Sequence, residues 1–209
     1  MPHVALLGDS IFDNRAYTRG EPDVVGHLRG LLPPGWRASL VASDGSSTRD
    51  IDGQVLRVPD DTTHVVLAVG GNDALMNRDL LGTRVSSTAE TLALFDQRVT
   101  RFEVSYRRAV AAVLAIARET TVCTVYNGDL APEEARLARL ALAMFNDVIV
   151  RVAVEHRLGL IELRLVCREP ADYANPIEPS GRGGLKIAVA VGQAVGAVDH
   201  AGPPTRVVA

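Results

Sequence analysis

The chain has 209 residues, of which 47% are hydrophobic, 22% charged and only 4% aromatic; at that length it can bury a sizeable aliphatic core, which excludes a disordered protein. A formal net charge of −3 gives no general pull toward phosphate backbones or anionic membranes, so nucleic acid is not an expected partner. The two cysteines, Cys123 and Cys167, are too few and too far apart for a disulfide framework or a zinc knuckle, and read as reduced, buried thiols of a cytoplasmic protein.

Short aliphatic runs alternate with long segments of helical period, the pattern of a parallel sheet covered by helices on both faces. The first strand spans Val4–Leu7, with no basic stretch or apolar core of an export signal before it. A short helix near Asp23–Leu32 follows, bounded by Pro22 and by Pro33-Pro34. Strands at Arg37–Ala42 and His64–Val69 come next. After them Val99, Phe102, Tyr106, Ala109, Val110, Val113, Ile116 and Ala117 recur at three- and four-residue steps and form one apolar helix face. Thr121–Tyr126 is the fourth strand and Leu160–Leu163 the fifth; between them Leu137, Leu140, Ala141, Met144, Phe145, Val148, Ile149 and Val152 mark a second long helix. A last helix covers about Gly183–Ala197. Residues 1–198 thus read as one three-layer α/β/α sandwich, with 199–209 as a flexible tail. No stretch approaches the ~18 apolar residues of a membrane span. Every basic residue but Lys186 is arginine, a bias that points to a GC-rich bacterial genome.

In an open sheet of this kind the site forms at the carboxyl ends of the strands. There the first strand runs into Gly8-Asp9-Ser10, the second into Ser43-Asp44-Gly45-Ser46 and the third into Gly70-Gly71-Asn72-Asp73. A serine at a strand end suits a nucleophile. A glycine exposing its N–H and an asparagine supplying side-chain N–H groups are the parts of an oxyanion hole.

With these three blocks in order, the chain resembles the SGNH, or GDSL-type, hydrolase superfamily over about residues 4 to 197. The resemblance implies a flavodoxin-like five-stranded parallel sheet in the order 2-1-3-4-5. It also implies a nucleophile at Ser10, oxyanion donors from the Ser10 and Gly45 N–H groups and the Asn72 side chain, and hydrolysis of esters, thioesters or other acyl groups. The fourth block departs from the family pattern of Asp-x-x-His. Here the chain reads Asn175-Pro176-Ile177-Glu178-Pro179-Ser180, placing Glu178 where the histidine belongs and Asn175 where the aspartate belongs.

No histidine offers a substitute. His64 opens the third strand, about 20 Å from the edge that carries Asn72 at ~3.3 Å per residue. His3 and His156 also fall at the amino edge, His27 lies within the first helix and His200 in the tail. Glu178 is therefore the available base, or else a brace for the last helix; its ordinary pKa of ~4.3 against ~6.5 for histidine makes proton abstraction harder by about 3 kcal/mol. Burial and a bond to Asn175 would recover part of that, and Asp172 is the candidate to orient it from a shifted position. Ile11, Phe12, Leu75, Met76, Leu80 and Leu81 are candidates to line an acyl pocket, and Arg15, Arg49, Arg78 and Arg182 to meet an anionic group. Neither a phosphate loop nor a dinucleotide fingerprint is present, so no cofactor or metal is expected. Asn146 and Asp147 read as a structural pair within the second long helix.

The expected activity is hydrolysis of a small ester or thioester through an acyl-enzyme, without membrane insertion and with the oligomeric state left open. The alternatives are an inactive relative that keeps the pocket for ligand binding or regulation, and an acyltransferase using the same serine.

Overall fold

The computed structural model describes residues 1–200, Gly202 and Val207, and most of the predicted tail lies outside the described residues. Five strands, β1 (His3–Gly8), β2 (Arg37–Leu40), β3 (His64–Ala68), β4 (Glu119–Cys123) and β5 (Gly159–Ile161), form one sheet in the order β2-β1-β3-β4-β5, parallel throughout. The helices are α1 (Val24–Leu31), α2 (Ile51–Val55), α3 (Gly71–Leu75), α4 (Thr88–Ala115), α5 (Pro132–Glu155), α6 (Leu163–Val166) and α7 (Gly181–Ala194).

Alternation along each strand divides the core in two, because successive side chains leave opposite faces of a sheet. Val4, Leu6, Val66 and Ala68 meet Val24 and Leu28 of α1 and Ile187 and Val191 of α7. Ala5, Leu7, Val65 and Leu67 meet Ile51 of α2, Phe102 and Tyr106 of α4, and Val148 and Ile149 of α5. All of β1 is buried, as expected for a central parallel strand covered on both sides.

The sheet order reverses between β1 and β3, so the loops leaving their carboxyl ends diverge and open a crevice. Two devices fix the end of β1 there. Gly8 has φ +131°, and a Cβ on it would stand 1.7 Å from the Ala68 carbonyl oxygen of β3; only glycine meets both demands. The fully buried Gln54 of α2 accepts the Gly8 N–H at 2.8 Å and donates to the Gly8 carbonyl at 2.7 Å.

The two long helices outrun the sheet. The first buried residue of α4 is Phe95 and that of α5 is Phe145, so about 20 Å of α5 precedes its first fully buried residue at ~1.5 Å per residue. The predicted apolar face of α5 is accordingly buried from Phe145 onward, half-buried at Ala141 and Met144, and wrong at its start: Leu137 and Leu140 are 53% and 65% exposed. Strand ends shift as well. The β4 ladder stops at Cys123 rather than reaching Tyr126, because the side chain of buried Asn146 accepts the Val125 N–H and donates to the Val125 carbonyl in place of a neighbouring strand. β2 ends at Leu40, and β5 ends at Ile161, with Leu163 opening the one-turn α6. Among the described residues no helix is long and apolar enough to cross a membrane.

Candidate active site

Ser10 leaves the end of β1 beside Asp9, and both are buried. The turn is held locally: the Asp9 carboxylate accepts the Ile11 N–H at 3.0 Å, and its carbonyl accepts the N–H groups of Phe12 and Asp13. Among the described residues the Ser10 N–H donates to no protein acceptor. The same holds for Gly45, which follows β2 in a turn with φ +78°. Asn72, on the first turn of α3, donates one side-chain N–H to the Ser46 carbonyl at 2.9 Å, which ties the two loops together. An amide nitrogen carries two hydrogens, so a second donor remains.

Asp73 anchors the same corner by accepting the N–H and hydroxyl of Thr48 at 3.0 and 2.6 Å. Neither Gln54 nor the Asp73–Thr48 pair was anticipated from sequence. Both are short-helix residues whose role depends on contacts across the sheet end, which no local period encodes.

The loop before α7 brings Glu178 to Ser10. The Tyr126 hydroxyl donates to the Ile177 carbonyl at 2.7 Å, and the Asp129 N–H donates to the Pro176 carbonyl at 2.9 Å. Asn175 does not meet the carboxylate of Glu178. Its Oδ1 accepts the backbone N–H groups of Ile177 and Glu178 at 3.0 and 2.9 Å, shaping the turn that carries the glutamate. Asp172 likewise makes no hydrogen bond to Glu178. Completely buried, it accepts from Lys186 Nζ at 2.8 Å and from the N–H groups of Arg168 and Glu169. Burial alone would raise its pKa, and these partners more than offset that and hold it below the usual carboxylate range. Its work is to brace α7, and the expected orienting role is not met.

Burial raises the pKa of Glu178, the Ser10 hydroxyl opposes the rise by hydrogen bonding, and the Asp44 charge adds to it. Its Oε2 is buried with no partner among the described residues. Asp9 is pushed up to about 7 by burial, against the Ile11 N–H and with help from the negative charges of Glu178, Asp73 and Asp44. Two carboxyl groups of weakened acidity therefore flank the serine.

Ser10, Asn72, Asp9 and Glu178 line one cavity of about 680 Å³, and Asn72 also borders an adjoining cleft that holds Gly45 and Ser47. Of the proposed acyl-pocket residues, Ile11, Leu75 and Leu81 line the cavity. Phe12 and Leu80 are buried in the body of the protein, and Met76 faces the second cleft. Arg78 borders both openings, whereas Arg182 is engaged by Glu169 and Asp172. The histidines stay away from the site: His3 and His64 open β1 and β3, His156 follows α5, and His27 lies in α1.

A parallel sheet in this order, with serine, glycine and asparagine delivered by three successive strand ends, is the architecture of the SGNH class of α/β proteins. The chain belongs to the GDSL-like lipase/acylhydrolase family, whose model matches residues 6–183. Solved structures agree on the fold. An extracellular lipase from Streptomyces rimosus shares 18% identity over 93% of this chain and 100% of its own, with a TM-score of 0.67. A member of the lipolytic G-D-S-L family from Veillonella parvula gives 17% over 91% and 96%, with 0.69, and an acetyl xylan esterase from Geobacillus stearothermophilus 18% over 96% and 97%, with 0.68. No curated protein matches the chain in sequence.

Proposed function

We propose that this protein is a serine acyl hydrolase that cleaves an ester or thioester through an acyl-enzyme, with Glu178 as general base where the family pattern has histidine. The observation that carries the reading is that Ser10 and the buried Glu178 line one cavity, where the Ser10 hydroxyl favours the charged form of the carboxylate. Ser10 Oγ attacks the substrate carbonyl carbon while its proton passes to Glu178. The oxyanion formed meets the Ser10 and Gly45 N–H groups and the second Asn72 side-chain N–H. Collapse expels the alcohol or thiol, which takes the proton back from Glu178. Water then repeats the sequence on the acyl-enzyme and releases the acid.

The raised pKa of Glu178 makes this chemistry accessible to a carboxylate, since a base nearer in pKa to the operating pH accepts a proton at lower cost. The test is direct: a fluorophosphonate probe is expected to form a covalent adduct at Ser10, located by peptide mass spectrometry, and short p-nitrophenyl esters are expected to turn over. A protein inert to both would instead be a ligand-binding relative.

Asn72→Ala is expected to lower kcat by roughly 10²–10³, or ~2.7–4 kcal/mol, with KM little changed, because the lost donor faces charge present only in the transition state. A raised KM with unchanged kcat would make Asn72 a ground-state contact.

A further inference from the structure

The cavity beside Ser10 is larger and more apolar than the proposed chemistry requires. Its walls away from the serine come from the overhanging parts of the two long helices: Phe95 of α4, and Ala138, Ala141, Leu142 and Phe145 of α5. Phe95, Phe145 and Val125 are buried around it, and Ile11 joins this lining to the nucleophile turn. At about 680 Å³ it falls within the range of sites that enclose a whole small molecule. The alanines matter as much as the aromatics. At positions 138 and 141, three residues apart and so on one face of α5, a small side chain leaves open space where a leucine or phenylalanine would intrude.

We infer that this chamber holds the hydrocarbon chain of a medium-length aliphatic acyl group, and that Ala138 and Ala141 are specificity-determining residues which set the length it accepts. The carbonyl stays at Ser10 and the chain runs between the projecting ends of α4 and α5. The leaving group departs through the adjoining cleft that contains Gly45, Ser47 and Arg78. The direction of the chain rests on the acyl-transfer reading of Ser10; its presence in the chamber does not, and binding alone can test it.

Two measurements separate these points. In wild-type protein, kcat/KM for p-nitrophenyl esters is expected to rise about fourfold per added methylene from acetate until the chamber is filled, following the ordinary gain on burying a CH₂. The octanoate-to-acetate ratio then exceeds one hundred. Ala141→Phe, and the milder Ala138→Leu should the first fail to fold, are expected to collapse that ratio at least tenfold. Leu140→Phe, which adds bulk to an exposed neighbour, is expected to keep it. On a Ser10→Ala background, calorimetry with the neutral probe octanamide is expected to show binding that acetamide lacks and that Ala141→Phe or Ala138→Leu weakens at least tenfold. A flat ester series, or octanamide binding that these substitutions leave intact, overturns the chamber assignment even if acetate is cleaved. Chain-length-dependent octanamide binding without turnover of any ester keeps the chamber and overturns the hydrolase reading.

Discussion

Ser10→Ala is expected to reduce ester hydrolysis to the background rate and to abolish fluorophosphonate labelling, while the melting temperature stays close to that of the wild type. The hydroxyl sits in a turn that is held by other atoms: the Asp9 carboxylate accepts the Ile11 N–H, and Gln54 clamps both backbone groups of Gly8. Apart from its interaction with Glu178 the serine oxygen supports none of these bonds, so its loss removes chemistry and little structure. Activity retained within about tenfold, measured beside a thermal melt of the same preparation, would exclude a covalent serine mechanism, since losing the nucleophile removes most of the rate.

Glu178→Gln is the second large effect. The substitution keeps the side-chain size and removes the basic carboxylate, and kcat is expected to fall by about 10²–10⁴. The pH profile distinguishes a base from a brace. A carboxylate base must be ionised, so wild-type kcat/KM is expected to rise with pH through an inflection above the usual glutamate value, because burial raises the Glu178 pKa. As pH rises through about 7, Asp9 gives up its proton and places a second negative charge beside the developing oxyanion, so activity is expected to fall again. Glu178→Gln should lose the acidic limb. Full per-molecule activity in this variant, accompanied by a lower melting temperature, would leave Glu178 as a helix brace only.

How far the sequence revealed this site depends on which interactions are local. Strand ends followed by Gly-Asp-Ser, by Asp-Gly-Ser and by Gly-Asn-Asp are local signals, and together with the short aliphatic runs before them they mark the strands and the loops that carry Ser10, Gly45 and Asn72; the order of the sheet follows only from the family resemblance those blocks carry. The departure from Asp-x-x-His at Asn175 and Glu178 is also legible, lying within a short motif, and Glu178 lines the same cavity as Ser10. Asn175 and Asp172 were assigned the wrong partners because a carboxylate or amide near a site in sequence has several donors within reach. Backbone N–H groups captured the Asn175 oxygen, and the distant Lys186 captured Asp172. The first turns of α5 misled for a related reason: periodicity reports an apolar face but not what stands opposite it. Opposite Leu137 the sheet has already ended.

The ion pair beneath α7 has a chemical consequence of its own. Lys186 is the only lysine in the chain, and both carboxylate oxygens of Asp172 lie within 2.8 Å of its amine. Amine-directed chemistry, whether a laboratory coupling reagent or an acetylating enzyme, therefore meets a single side chain, and that side chain is already serving as counterion to a completely buried carboxylate. Converting the ammonium to an amide would leave the buried Asp172 charge without its nearest cation, with only the more distant and half-exposed Arg182 guanidinium at 3.6 Å to answer it, a state that folded proteins do not sustain cheaply. Attachment of dyes or solid supports through lysine thus disturbs the base of α7, and the arginine-rich surface offers no alternative lysine on which such a modification would be harmless.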